Sequence, residues 1–223
     1  FTAQPEVHGS SYFRCFRYDG WWYALVMPGH FLRSSDGRSG FEAGPPLFGP
    51  SMRHSAVRVV GDTLQVFWTR VGDAPERILC STVDISGDWT TWRESEPVEI
   101  LRPERPWEGA DQPLGPSRRG AVAHVANQLR DPCVFEEDGR LFLLYAVAGE
   151  SGIGIAELLP RIDRLSVSPL RPMANPALAT CCSSSGLVGS TNEGSLVTST
   201  HQPVAQREPS TSERTVNVCC WRP

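Results

Sequence analysis

The chain has 223 residues, a formal net charge of −4, and 21 basic residues, all of them arginine. So balanced a charge gives no reason to expect a polyanion such as nucleic acid as partner. No run of about 18 apolar residues occurs, so no membrane-spanning helix is expected.

The opening FTAQPEVHGS has no basic region and no apolar core, so it is not a signal peptide, which favours a cytoplasmic location. It also lacks an initiator Met and predicts a processed chain or a fragment. From there the chain repeats itself. Phe13 to Phe16 predicts a short strand, Asp19-Gly20 a tight turn, and Trp21 to Met27 an apolar return strand. His30 to Ser34 predicts a third strand before the turn Asp36-Gly37. Phe41 to Phe48 predicts a fourth, at an edge because of Pro45 and Pro46.

The same order recurs at His54 to Val60, Gly61-Asp62 and Leu64 to Trp68. Glu76 to Asp84 then predicts a third strand and Trp89 to Ile100 a fourth. Arg102 to Leu129 breaks the rhythm: it is long, irregular and rich in Pro, Gly and Arg, as functional or disordered loops are.

The organising stretch is QLRDPCVFEEDGRLFLLYAV, Gln128 to Val147. Val134 and Phe135 are strand formers, Asp138-Gly139 is a hairpin turn, and Leu141 to Val147 is an apolar run suited to burial on both faces. Pro132 holds Asp131 extended, so a carboxylate stands where a strand opens, with Arg130 beside it. Gly152 to Leu158 predicts a third strand whose small residues suit close packing. The turn glycines Gly20, Gly61 and Gly139 lie 41 and then 78 residues apart, the second interval nearly twice the first. A period near 40 residues built from strands predicts propeller blades of four antiparallel strands. Helical periodicity is almost absent.

After Leu158 the aromatic residues all but vanish and Ser, Thr and Pro dominate. The third unit is expected to stop before a fourth strand. A disordered tail or a changed reading frame near Leu159 would each account for this, the abruptness favouring the second. The chain is thus divided into blades over 1–158 and an irregular C-terminal tail over 159–223.

The seven cysteines show no metal-ligand spacing. Cys15, Cys80 and Cys133 are expected to be buried, reduced thiols. No phosphate loop or other cofactor motif occurs, so no metal or cofactor is expected.

Three constellations bear chemistry. Asp131, at the opening of an innermost strand, would face a propeller axis, with Arg130 to orient a ligand. Glu108 in RPWEGAD lies against Trp107; a desolvated carboxyl there could serve as a general acid, and Trp107 could stack on a sugar. Arg53 and His54 open the second repeat as Asp131 opens the third, so they should point at the same axis. Arg70 is expected at the rim. Trp68 is expected in the core, and Trp21, Trp22, Trp89 and Trp92 between blades.

The stretch LRDPCVFEEDGRLFLLYAVAGESGIGIAEL resembles a blade of the five-bladed β-propeller glycoside hydrolases, families 43, 32, 62 and 117, and Tyr12 to Leu158 resembles uncharacterised bacterial proteins of that superfamily. The resemblance implies an all-β fold of about three blades out of five and a carbohydrate substrate. It also implies an axial pocket in which Asp131 holds the sugar and Glu108 is the acid. It supplies no counterpart to the Asp that opens the first blade in those enzymes. Hydrolysis and non-catalytic carbohydrate binding both fit.

Overall fold

The computed structural model describes residues 2, 3, 5–160 and 165–169. Among these described residues, twelve strands form three antiparallel sheets, each a simple up-and-down meander. The first holds β1 (Arg14–Tyr18), β2 (Trp21–Val26), β3 (His30–Ser34) and β4 (Glu42–Pro46). The second holds β5 (Met52–Val60), β6 (Thr63–Arg70), β7 (Ile78–Asp84) and β8 (Val98–Leu101). The third holds β9 (Arg130–Glu137), β10 (Arg140–Val147), β11 (Gly152–Pro160) and β12 (Leu165–Pro169). Among the described residues there is no α-helix, and no helix long and apolar enough to cross a membrane.

The hairpin chemistry follows the residues. Asp19 and Gly20 take φ of 45° and 78°, and Asp138 and Gly139 take 51° and 74°. These are paired left-handed conformations, the pattern of a type I′ turn. At the β5–β6 hairpin Gly61 (φ 56°) comes first and Asp62 has no positive φ, so there glycine alone takes the left-handed role.

Alternation along the second sheet explains the stacking. Leu64, Val66 and Trp68 of β6 point into a core shared with Phe16, Tyr23, Leu25 and Phe31 of the first sheet. Phe67 and the β7 residues Ile78 and Cys80 point the other way, onto Val134, Leu141, Leu143 and Tyr145 of the third. A period of two thus commits both faces of the middle sheet. Each such fully buried Leu or Phe contributes roughly 1.5–3 kcal/mol, and Phe67→Ala is expected to cost about 3–5 kcal/mol. In the third sheet Gly154 faces Tyr145 so closely that a Cβ would stand 2.8 Å from the ring, as its expected close packing requires.

Several expectations are corrected. The segment Trp89 to Ile100 is not one strand. Asp88 accepts from the Thr90 N–H at 2.9 Å, starting a 3-10 turn over Trp89–Thr91, and only Val98–Leu101 pairs with β7. Trp89 and Trp92 pack between blades, against Tyr23 and Phe31, and Trp68 is in the core. Trp21 and Trp22 do not. Trp21 is exposed under the Arg33 guanidinium, and Trp22 lies over the Gly37 turn of its own blade. The third unit does not stop at Leu158: β11 runs to Pro160 and β12 pairs with it from Ala156↔Pro169 to Pro160↔Leu165, completing a fourth strand. The rest of the expected tail, residues 161–164 and 170–223, lies outside the described residues. Cys15 and Cys80 are free thiols, whereas Cys133 is not, since it is disulfide-bonded.

Candidate functional site

The strands β1, β5 and β9 bring their openings together beside a hollow. At each opening stands a non-glycine residue with left-handed backbone: Tyr12 (φ 56°), His54 (φ 49°) and Asp131 (φ 48°). In β5 and β9 the pairing register slips at this point, so the residue bulges out of its ladder. Such conformations are costly for residues with a Cβ and persist where the surroundings impose them.

The three side chains meet. The Tyr12 hydroxyl donates to Asp131 Oδ1. His54 Nε2 lies 3.7 Å from the same oxygen, and the Tyr12 and His54 rings are 5.0 Å apart. Beside them is a cavity of about 280 Å³ lined by Tyr12, Arg53, His54, Arg119 and Glu150, with Met27, Gly120 and Ala121; Asp131 adjoins it through Tyr12 and His54. That is near the lower end of small-molecule sites, roughly 300–1,000 Å³.

Beneath the hollow is a buried ionic network. Glu76 and Arg130 are fully buried, and Arg130 Nε donates to Glu76 Oε2 at 2.9 Å. Arg130 Nη1 also donates to Glu150 Oε1 at 2.9 Å and to the Gly120 carbonyl at 3.0 Å. Arg53 Nε is 3.5 Å from Glu76 Oε1, and its Nη1 donates to the Arg118 carbonyl at 2.7 Å. Thr69 Oγ1 donates to Glu76 Oε1 at 2.8 Å and sits 3.1 Å from His54 Nδ1. One anion between two guanidiniums, with their remaining N–H groups bonded, is the arrangement that makes buried charge tolerable.

The titrating groups follow from this setting. Burial, with Arg53, Arg130, Arg14 and Arg119 nearby, pushes the His54 imidazole down to about 2, so it is neutral. Burial pushes the Asp131 carboxyl up; Glu150 adds to this, and the Tyr12 hydrogen bond, Arg130 and Arg53 oppose it. Burial and the bond to Asp131 push the Tyr12 phenol up, so it remains a donor.

Of the expected site residues, Asp131, Arg130, Arg53 and His54 come together here. Glu108, Trp107 and Arg70 do not. Glu108 caps a 3-10 turn: Oε2 accepts from the Glu104 and Arg105 N–H groups at 2.9 and 3.0 Å, and Oε1 from Tyr145 at 3.0 Å. It is buried with its oxygens used in structural bonds, away from the hollow, so the acid role expected of it is corrected. Trp107 packs against the core between the second and third sheets. Arg70 lies over Trp68, 5.1 Å from the ring centroid.

The long loop is ordered and reaches the hollow. Its base is pinned by Glu108 and by Gly109, where an added Cβ would stand 2.2 Å from the Ala126 carbonyl oxygen. Its far end, held through the Arg118 and Gly120 carbonyls, forms a wall with Arg119, Gly120 and Ala121. Tyr12, Thr69, Glu76, Arg119 and Glu150 were not among the expected residues. Tyr12 had a signal: Tyr12, His54 and Asp131 stand eight, seven and eight residues ahead of the turn glycines Gly20, Gly61 and Gly139.

Three up-and-down four-stranded sheets with their first strands around one hollow define an all-β, propeller-type protein. One solved structure bears the fold out. A thermostable family-43 glycoside hydrolase superposes with a TM-score of 0.50 at 16% identity, over 71% of this chain and 53% of its own. The α-L-arabinofuranosidase of Lactobacillus brevis superposes at 0.48 and 14% identity, over 72% of this chain and 57% of its own. In sequence, the chain is 40% identical over 166 residues to an uncharacterized protein of Acanthamoeba polyphaga mimivirus, covering 67% of this chain and 47% of that one. The chain thus spans about half the length of the proteins it matches. No family model matches it.

Proposed function

We propose that the hollow binds a carbohydrate as part of a glycoside hydrolase-like, five-bladed propeller, with Asp131 as the carboxylate that accepts from sugar hydroxyls. The observation that carries this is the convergence of Tyr12, His54 and Asp131 from matching left-handed positions on three blades. A carboxylate, a neutral imidazole and a phenol in a small concave site supply the acceptors and donors that vicinal hydroxyls need. Arg53 and Arg130 support the first layer from below, and Arg119 and Glu150 stand at its wall. The fold likeness to glycoside hydrolases supports the same ligand class.

Hydrolysis is the second reading, and one observation favours it: Glu150 lines the hollow and its charge acts on Asp131, which adjoins the hollow through Tyr12 and His54, so two carboxylates stand near one site without Glu108. Titration calorimetry with a panel of neutral pentose and hexose oligosaccharides tests binding. The wild-type chain is expected to bind at least one, and Asp131→Ala to weaken it by about tenfold or more, roughly 1.4 kcal/mol. No binding by the wild type, or equal binding by the variant, overturns the proposal. Reducing-sugar release, lost in Glu150→Gln, would establish hydrolysis in addition.

A further inference from the structure

We infer that Thr69 is a positioning residue: its hydroxyl couples Glu76 to the Nδ1 proton of His54 and keeps that proton on the side of the ring turned away from Asp131. The consequence for ligand binding rests on the role proposed for Asp131; the proton arrangement itself does not.

The argument is one of donors and acceptors. A threonine hydroxyl has one proton and two lone pairs. Thr69 is fully buried on β6, paired with Arg53 of β5, and its proton goes to Glu76 Oε1 at 2.8 Å. Burial pushes the Glu76 carboxyl up, and Arg130 and Arg53 pull it down. A proton on it would strip two buried guanidiniums of the counter-charge they share, so Glu76 accepts and does not donate. Thr69 therefore offers only a lone pair to His54 Nδ1 at 3.1 Å, which calls for a hydrogen on Nδ1; Arg53 Nε, with one hydrogen to give, lies 3.1 Å from Nδ1 and 2.9 Å from Nε2, and the nearer Nε2 takes it. A neutral imidazole has one, so Nε2 is bare, and Arg53 Nη2 donates to it at 2.7 Å.

Asp131 Oδ1 is 3.7 Å from that bare nitrogen and takes no hydrogen bond from it. Its side-chain donor is Tyr12. The charged groups facing Asp131 are Arg53 and Arg130, which favour its anion, and Glu150, which opposes it. Those acting on His54 are Arg53, Arg130, Arg14 and Arg119, with Glu76 behind Thr69, 3.7 Å from Nδ1. If the His54 proton moved to Nε2, an N–H would turn toward Asp131 Oδ1 at 3.7 Å, beyond a hydrogen bond but close enough to favour the anion, and the carboxylate would become a weaker base. Thr69 thus keeps the Asp131 carboxylate more basic than its neighbourhood would otherwise leave it.

The test uses the full chain with 15N-labelled histidine and 13C-labelled aspartate, and no sugar. In the wild type, His54 is expected as a single Nδ1–H tautomer. In Thr69→Val an Nε2–H population appears and the Asp131 titration midpoint moves down; Thr69→Ser matches the wild type in both. An Nε2–H tautomer in the wild type, or an unchanged tautomer and midpoint in Thr69→Val, overturns the inference. If the valine variant does not fold, the wild-type tautomer decides the matter, and the serine variant must reproduce it. Because no ligand enters, a failure here is separate from a failure of carbohydrate binding.

Discussion

Tyr12 donates its phenolic hydrogen to Asp131 across 119 positions of sequence, joining the opening of the first blade to that of the third. The bond bridges these two openings beside the hollow. It also sets the competition that governs Asp131, whose anion is opposed by burial and favoured by this donor and two guanidiniums.

Asp131→Asn is expected to stabilise the fold at neutral pH while weakening the carbohydrate binding proposed above. The folded-state carboxyl is raised, so the native chain holds this proton more tightly than the unfolded one, and ionisation above the unfolded value of about 3.9 works against folding. Asparagine removes that charge and tolerates the left-handed backbone. The gain is expected as a higher Tm for the variant. Thermal unfolding of both proteins at pH 7 checks it, and a lower Tm for the variant would count against it.

His54 makes the opposite contribution. Its folded-state value is depressed to about 2, so the unfolded chain binds the extra proton. The stability from burying it neutral is complete above the unfolded value of about 6.5 and falls away as pH drops from there toward 2. Urea unfolding at pH 7 and pH 4.5 should show a loss in the wild type. His54→Asn, which suits φ of 49°, should reduce the slope between the two.

Glu108 is expected to matter for stability and not for chemistry. Glu108→Ala leaves two backbone N–H groups and the Tyr145 hydroxyl without their buried acceptor, at a cost of roughly 2–4 kcal/mol. At a temperature where the variant is folded, its oligosaccharide affinity should stay within about threefold of wild type. A large loss of binding in a folded variant would return Glu108 to the site.

Arg130 and Glu76 should behave as a unit. Arg130→Met or Glu76→Leu alone leaves a buried charge without its partner, costing about 3–5 kcal/mol. The double variant should cost less than the two single changes added together. A double-mutant cycle by urea unfolding measures the coupling, and strict additivity would show that the pair does not interact.

Much of the architecture could be read from residue order, because hairpins announce themselves locally. Asp19-Gly20 and Asp138-Gly139 fix where strands reverse, and the apolar runs after them fix which strands are central. Asp131, His54 and Arg53 could be placed at strand openings for the same reason. Glu108 misled because a carboxylate next to an indole resembles a tuned acid, although Arg-Pro-Trp-Glu also carries a capping signature, with Glu at the third position of a turn. Glu76 and Glu150 were illegible for a different reason. Each lies just outside a strand, and only contact between distant segments, Arg130 to Glu76 over 54 positions and Arg130 to Glu150 over 20, makes them part of the site. The fourth strand of the third blade, Leu165–Pro169, has so little apolar content that composition hid it; its pairing with β11 is what defines it.

The wall at Arg118 to Ala121 is fastened through peptide carbonyls, those of Arg118 and Gly120, gripped by guanidiniums that belong to other blades. Such a fastening is indifferent to the identity of the residues it holds. Arg119 adds a side-chain bond of its own, to the Pro50 carbonyl, so it is the Ala121 side chain that can be exchanged with the anchorage intact, which makes that position the natural place to redesign what the hollow accepts.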